Sequence, residues 1–195
     1  MSPRPRKASD DEIFAAASRA MNRLGPGELT LAAIADEAGL TAGALVQRFG
    51  SRRQLLLSMT ARFAASAGSL VEALRSEHGS PLAAIRAYGD CMAQLATSPA
   101  VFARNLAYLQ IDLTDDDFRR HLVAHARGTR RGLQQLVEAG IAAGELADAT
   151  PAARLARTIE VIVSGSMMTW AFYRQGSVKR WIQKDLEAVL APHIP

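Results

Sequence analysis

The sequence predicts an all-α protein of about nine helices and no strand. Three observations carry this expectation. Apolar residues recur at helical spacing along most of the chain, and alternating apolar–polar runs are hard to find. Helix-opening signals, a short polar side chain ahead of an apolar-periodic run, return at intervals. The composition is 49% hydrophobic, only 6% aromatic and rich in Ala, which suits helices packed on helices. At 195 residues the chain can bury a real core in one or two domains.

The elements follow in order. Residues 1–8 read as a disordered basic arm carrying Arg4, Arg6 and Lys7 and no acid. Ser9 opens the first helix, where Glu12 completes an S-x-x-E capping box and Asp10 and Asp11 favour the positive helix end. Ile13, Ala17, Met21 and Leu24 recur at helical spacing, and Gly25 stands where a C′ glycine belongs. Thr30 caps a short second helix through Ala38, Gly39 ends it, and Thr41 caps a third running to Phe49. Ser51 and Gln54 form another capping box, opening a longer helix with Leu55, Leu56, Met59 and Phe63 that ends near Gly79. Ser80-Pro81, Ser98-Pro99 and Thr150-Pro151 each set a capping hydroxyl before a proline at the first helical position. Thr114 opens a further helix with Asp115, Asp116 and Asp117 in its first turn, and Leu113 and Phe118 flank it as a hydrophobic staple. The last two helices run from Pro151 to Tyr173 and from Val178 to Leu190.

The most informative stretch lies between Thr30 and Phe49. A helix-turn-helix needs two short helices held at a sharp angle by a tight turn. Ile34, Ala35 and Ala38 give the first of them a small apolar face, Gly39 permits the corner, and Leu40 plugs the junction. Leu45 and Phe49 bury the back of the second helix, leaving Thr41, Ala42, Ala44, Gln47 and Arg48 outward. Small residues at the start of such a helix let it go deep into a major groove. Gln47 is expected at a base edge, and Arg52 near a passing phosphate strand. The arm is either a solvated tail or a strand of cations along the minor groove or the phosphates.

Here the chain resembles the TetR family of regulators. The matching residues are Ile13, Ala16, Ala17, Gly25, Thr30, Ile34, Ala35, Ala38, Gly39, Leu40, Thr41, Gly43, Leu45, Phe49, Ser51 and Leu55. The resemblance implies a dimeric repressor on a palindromic operator, with a variable C-terminal domain that senses a small molecule. Where the family usually carries Tyr, His and Lys, this chain has Val46, Arg48 and Arg52. Val46 cannot donate to a phosphate, while Arg48 and Arg52 keep positive charge for a phosphate or a guanine edge. The DNA-contacting set is thus Arg4, Arg6, Lys7, Thr30, Thr41, Ala42, Gly43, Ala44, Gln47, Arg48 and Arg52. The chain then divides into the arm, a DNA-binding domain at 9–50, and an effector and dimerisation domain at 51–195 with a connecting helix at 51–78.

Beyond Arg75 only periodicity speaks. Leu155, Ile159, Ile162 and Ser166 on one late helix, with Val178, Ile182 and Val189 on the next, form stripes that serve either a two-fold four-helix interface or internal core. Met59, Phe63, Met92, Phe102, Leu106, Met167, Met168 and Trp170 either line an apolar effector pocket or are plain core. Asp117, His121 and His125 are spaced as three ligands for one metal, or are ordinary helix-surface residues. No cofactor is expected. The single cysteine, Cys91, excludes an intrachain disulfide. The polar start and the lack of a long apolar stretch predict a cytoplasmic protein. The net charge of +4 permits a polyanionic partner without requiring one. No nucleophile elbow, P-loop, dinucleotide glycine fingerprint or metal-bundle motif is present, so an enzyme is not expected. A small helical enzyme and a non-DNA helical adaptor are the alternatives.

Overall fold

Capping side chains start most of the helices, and the computed structural model shows them at work across the residues it describes, 8–195. Arg4, Arg6 and Lys7 lie outside the described residues. Within these the helices are α1 (Asp10–Arg23), α2 (Leu31–Ala38), α3 (Ala42–Phe49), α4 (Arg52–Glu77), α5 (Pro81–Ala93), α6 (Pro99–Thr114), α7 (Asp116–Ala142), α8 (Ala152–Tyr173) and α9 (Val178–Leu190). There is no strand among the described residues, so the fold is all-α.

At α1 both halves of the capping box form. The Ser9 N–H donates to Glu12 Oε2 at 2.8 Å, and the Glu12 N–H donates to Ser9 Oγ at 3.2 Å. Thr30 accepts from the Ala33 N–H at 3.0 Å and Thr41 from the Ala44 N–H at 3.2 Å. Ser80 and Ser98 cap the helices that start at Pro81 and Pro99 in the same way. Each bond satisfies a donor that the helix cannot satisfy itself.

Five sequence expectations need correction. Gly25 follows α1 without a left-handed backbone; its carbonyl instead accepts the N–H groups of Glu28 and Leu29, which shapes the turn into α2. At Ser51 the forward bond from the Gln54 N–H forms at 3.1 Å, while the Ser51 N–H goes to the Phe49 carbonyl, where a reciprocal Gln54 bond was expected. Thr114 does not open α7, because its hydroxyl donates back to the carbonyls of Gln110 and Ile111 and prolongs α6. Asp115 accepts from the Asp117 N–H and starts α7; Leu113 stays exposed while Phe118 is buried, so they form no staple. At Thr150 the hydroxyl is buried with no partner, and α8 begins without a side-chain cap.

The chain forms two compact units. One holds the described residues up to Arg62 together with Ala103–Arg119, and the other holds Phe63–Phe102 with the residues from Arg120 onward. In the first, Ile13, Ala17, Ala20, Leu29, Ile34, Leu45, Leu55 and Tyr108 are buried together. The Tyr108 hydroxyl donates to the Leu24 carbonyl at 3.1 Å, so α6 secures the end of α1. In the second unit α8 packs on α9, and α5 packs on α9 so closely that a Cβ at Gly89 would come within 3.0 Å of the Ile182 side chain. Ile85, Tyr88, Ile159, Val163, Ile182 and Leu186 are buried there.

Candidate nucleic-acid interface

The corner between α2 and α3 rests on one glycine. Gly39 has φ 66° and ψ 34°, a left-handed conformation that costs a residue with Cβ about 1–2 kcal/mol. Its N–H returns to the carbonyls of Ala35 and Asp36, and the Leu40 N–H returns to Ala35 at 2.9 Å. The last turn of α2 is thereby closed, and the chain is free to start α3 two residues later. Glu37 ties α2 to α1: its carboxylate accepts from Arg19 at 2.8 Å and from Arg23 at 3.3 Å. The Arg19 hydrogen bond holds that carboxyl below the usual carboxylate range.

With Leu45 fully buried and Phe49 packed against Phe14, α3 exposes the opposite side. Thr41, Gly43, Ala44, Val46, Gln47 and Arg48 are exposed, and Ala42 is half-buried against the core. Sequence reasoning treated Val46 only as a missing phosphate donor, yet it is 49% exposed on this face.

The arginines are less free than their sequence positions imply. Arg48 pairs with Asp10 at 2.6 Å, donates to the Ala8 carbonyl, and lies over the Phe49 ring. Arg52 donates to the Pro26 and Leu29 carbonyls and so clasps the turn between α1 and α2. Arg53, which sequence reasoning did not single out, pairs with Asp115 at 2.7 Å and Asp117 at 2.8 Å. No pattern of local spacing could have found these pairs, because their partners are distant in sequence.

Two family models match the chain. One, described as bacterial regulatory proteins of the tetR family, covers residues 13–59. The other, the tetracyclin repressor-like C-terminal domain, covers residues 83–185. The chain belongs to the TetR family. A solved TetR transcription regulator from Haloarcula marismortui is similar, at 18% identity and TM-score 0.77 over 95% of this chain and 98% of its own. A TetR regulator from Streptomyces coelicolor gives 23% and 0.71, covering 96% and 99%. The regulator FadR from Bacillus subtilis, solved with stearoyl-CoA, gives 16% and 0.69, covering 94% and 98%. A comparison with curated proteins finds no match.

This TetR-family chain is therefore a DNA-binding transcriptional regulator with a helix-turn-helix at α2 and α3. Repression, homodimerisation and small-molecule binding are typical of the family, whose members are generally not enzymes. No helix among the described residues is long and apolar enough to cross a membrane.

The second unit of the regulator redistributes the remaining candidates. Leu155, Ile159, Ser166, Val178 and Ile182 are buried within the single chain, so these five belong to the α5–α8–α9 core. Ile162 and Val189 are half-buried, and elsewhere on α8 Val161 and Phe172 are exposed at 60% and 74%. The reason is rotational: a helix stripe read from sequence has two flanks, and the packing of α9 decides which one faces inward. Among the pocket candidates, Met59 packs on the first unit's core and Leu106 lies in that unit too, while Phe63, Met92, Phe102, Met167, Met168 and Trp170 lie in the second. The Trp170 indole N–H is fastened to the Gly176 carbonyl at 3.1 Å.

Among the described residues no three His, Cys, Asp or Glu side chains come together as a metal-ligand cluster. Asp117 is drawn to Arg53, and His125 stacks on Phe63 with ring centroids 4.1 Å apart. Burial holds the His125 imidazole below its ordinary pKa, against an opposing pull from Glu160. Glu160 itself accepts from Arg130 at 2.7 Å. Burial, reinforced by Glu160, pushes the Tyr88 hydroxyl up to about 12, which keeps it a neutral donor. Sequence reasoning missed Glu160; its signal was a lone acid inside the apolar run from Ile159 to Val163.

Proposed function

We propose that this regulator is a cytoplasmic homodimeric repressor that leaves a palindromic operator when a small hydrophobic effector binds. The observation that carries this reading is the α3 surface, where Thr41, Gly43, Ala44 and Gln47 face outward while Leu45 anchors the helix from behind. A helix so faced can enter a major groove, and a two-fold dimer would present it to both half-sites. Gln47 reads a base edge, Thr30 and Thr41 approach the phosphates, and Arg4, Arg6 and Lys7 supply further cationic contacts. Residues 9–50 act as the reading head and 51–195 as the sensing and pairing part, connected by 51–78.

The exposed flank of α8 supports the dimer: Val161, Gly165 and Phe172 share one face of the helix and leave apolar surface for a symmetry mate. For the effector, Phe63, Met92, Phe102, Met167 and Met168 supply an apolar lining, and Tyr88, His125 and Glu160 supply a few placed polar groups. The similar Bacillus subtilis regulator holds the acyl compound stearoyl-CoA, which lends support to an apolar ligand here.

Substitution of Gln47 tests the reading head. Gln47→Ala should cost about 1–3 kcal/mol on the operator and relax preference at one position per half-site. Titration against operator and scrambled duplex separates the outcomes, because an equal loss on both would remove Gln47 from base reading.

A further inference from the structure

The outward surface of α3 is poor in groups that can hydrogen-bond a base. Arg48 is turned back by three contacts at once: the Asp10 carboxylate, the Ala8 carbonyl and the Phe49 ring. Thr41 accepts from the Ala44 N–H and keeps its hydroxyl proton to donate, at the very start of the helix. Beyond Thr41 the face carries one amide, Gln47, among Gly43, Ala44 and a valine that is 49% exposed. A lone exposed valine is ordinary on most surfaces. This one directly precedes Gln47 on the helix that reads DNA, and it has nothing to offer a phosphate.

We infer that Val46 is a specificity-determining residue that reads the C5 methyl group of a thymine in each half-site. Among the base edges of the major groove the thymine methyl is the apolar one, so it is the group on which a valine gains from being covered. Gly43, with no side chain, and Ala44, with one carbon, leave room for α3 to approach until the valine methyls touch the groove floor. The adjacent amide of Gln47 then distinguishes the neighbouring pair by hydrogen bonding, and the two residues together read a polar and an apolar position in succession. The inference rests on α3 being the reading helix, as set out under the proposed function.

The experiment begins by selecting, with the full chain, preferred sequences from a pool of randomised duplex DNA. In the selected duplex each thymine is then replaced in turn by deoxyuracil, which keeps every base-pairing group and lacks only the methyl. One position per half-site should weaken binding about fourfold, the value of covering one methyl-sized group. Replacing it in both half-sites should weaken binding about fifteenfold. Val46→Ala should bind the thymine and deoxyuracil duplexes alike, and because Val46 is exposed its thermal melt should match the parent. Arg48→Gln should keep the thymine discrimination, since Arg48 is held by α1. If selection returns no preferred sequence, the operator reading falls and takes this inference with it. If a preferred duplex emerges but deoxyuracil costs nothing at any position, or Val46→Ala keeps the same penalty, the operator reading stands and the role of Val46 is overturned.

Discussion

In the first unit α2 and α3 take their shape from signals only a few residues long, to which Tyr108 and Arg52 add longer ties, whereas in the second α5, α8 and α9 are held together by contacts between residues far apart in the chain. In the first, Ser9, Thr30 and Thr41 cap their own helices, and Gly39 turns the corner with its own backbone. In the second, α5 meets α9 through Gly89 and Ile182, and Ser166 on α8 donates to Asp185 on α9 at 2.7 Å. Local devices can be replaced one at a time with modest loss. Long-range core contacts share a single packing arrangement, so one wrong side chain is felt by all of them.

The largest expected effect breaks the second unit where it is fully closed. Ile182→Asp puts an unpaired charge into the α5–α8–α9 core and should cost more than about 3 kcal/mol, enough to abolish a cooperative melt. Val161→Asp, on the exposed flank of the same helix pair, should keep the melt while light scattering reports a monomer. A parent-like melt for Ile182→Asp would show that the core is not closed there.

Next in size is the crossing of α4 and α7 in the same unit. A Cβ at Gly132 would lie 2.8 Å from the Val71 Cβ, while one at Gly68 would meet nothing within 4 Å. Gly132→Ala should therefore destabilise by about 1–2 kcal/mol, the clash outweighing the helical gain. Gly68→Ala should stabilise by up to about 1 kcal/mol. Denaturant melts of the two side by side check the sign difference.

In the first unit, Arg52→Ala removes the clasp on the Pro26 and Leu29 carbonyls. A loss of about 1–2 kcal/mol in thermal stability is expected, with the salt dependence of DNA binding changed by less than one unit per subunit. A full unit of lost slope with unchanged stability would return Arg52 to a phosphate.

The smallest effect depends on pH. Burial, then the neighbouring Asp115 charge, pushes Asp112 up to about 6 from 3.8. Between those values the folded chain keeps a proton that the unfolded chain releases, so stability falls as pH rises and the loss is complete above about 6. Asp112→Asn should then raise stability at pH 7.5 by about 1 kcal/mol, allowing for the partial exposure of the carboxyl, and should change nothing below pH 4. Equal gains at both pH values would assign the effect to packing instead.

What could be read from sequence follows the range of the forces involved. A cap bonds three residues away and a left-handed corner needs only its own glycine, so α1, α2 and α3 were legible from residues alone, whereas the half-burial of Ala42 and the exposure of Val46 were not. Thr114 and Thr150 misled because a hydroxyl can bond backward, or be buried, as easily as it can cap, and only the path of the neighbouring helix chooses. Tertiary structure alone decided that Leu155, Ile159 and Ile182 close a core within one chain while Val161 and Phe172 remain outside. It alone tied Arg48 to Asp10, Arg52 to the α1–α2 turn and Arg53 to the start of α7. The hydrophobic effect has no direction, so an apolar stripe announces burial without naming its partner. A guanidinium on a long flexible stem pairs with whichever carboxylate or carbonyl the fold brings within reach.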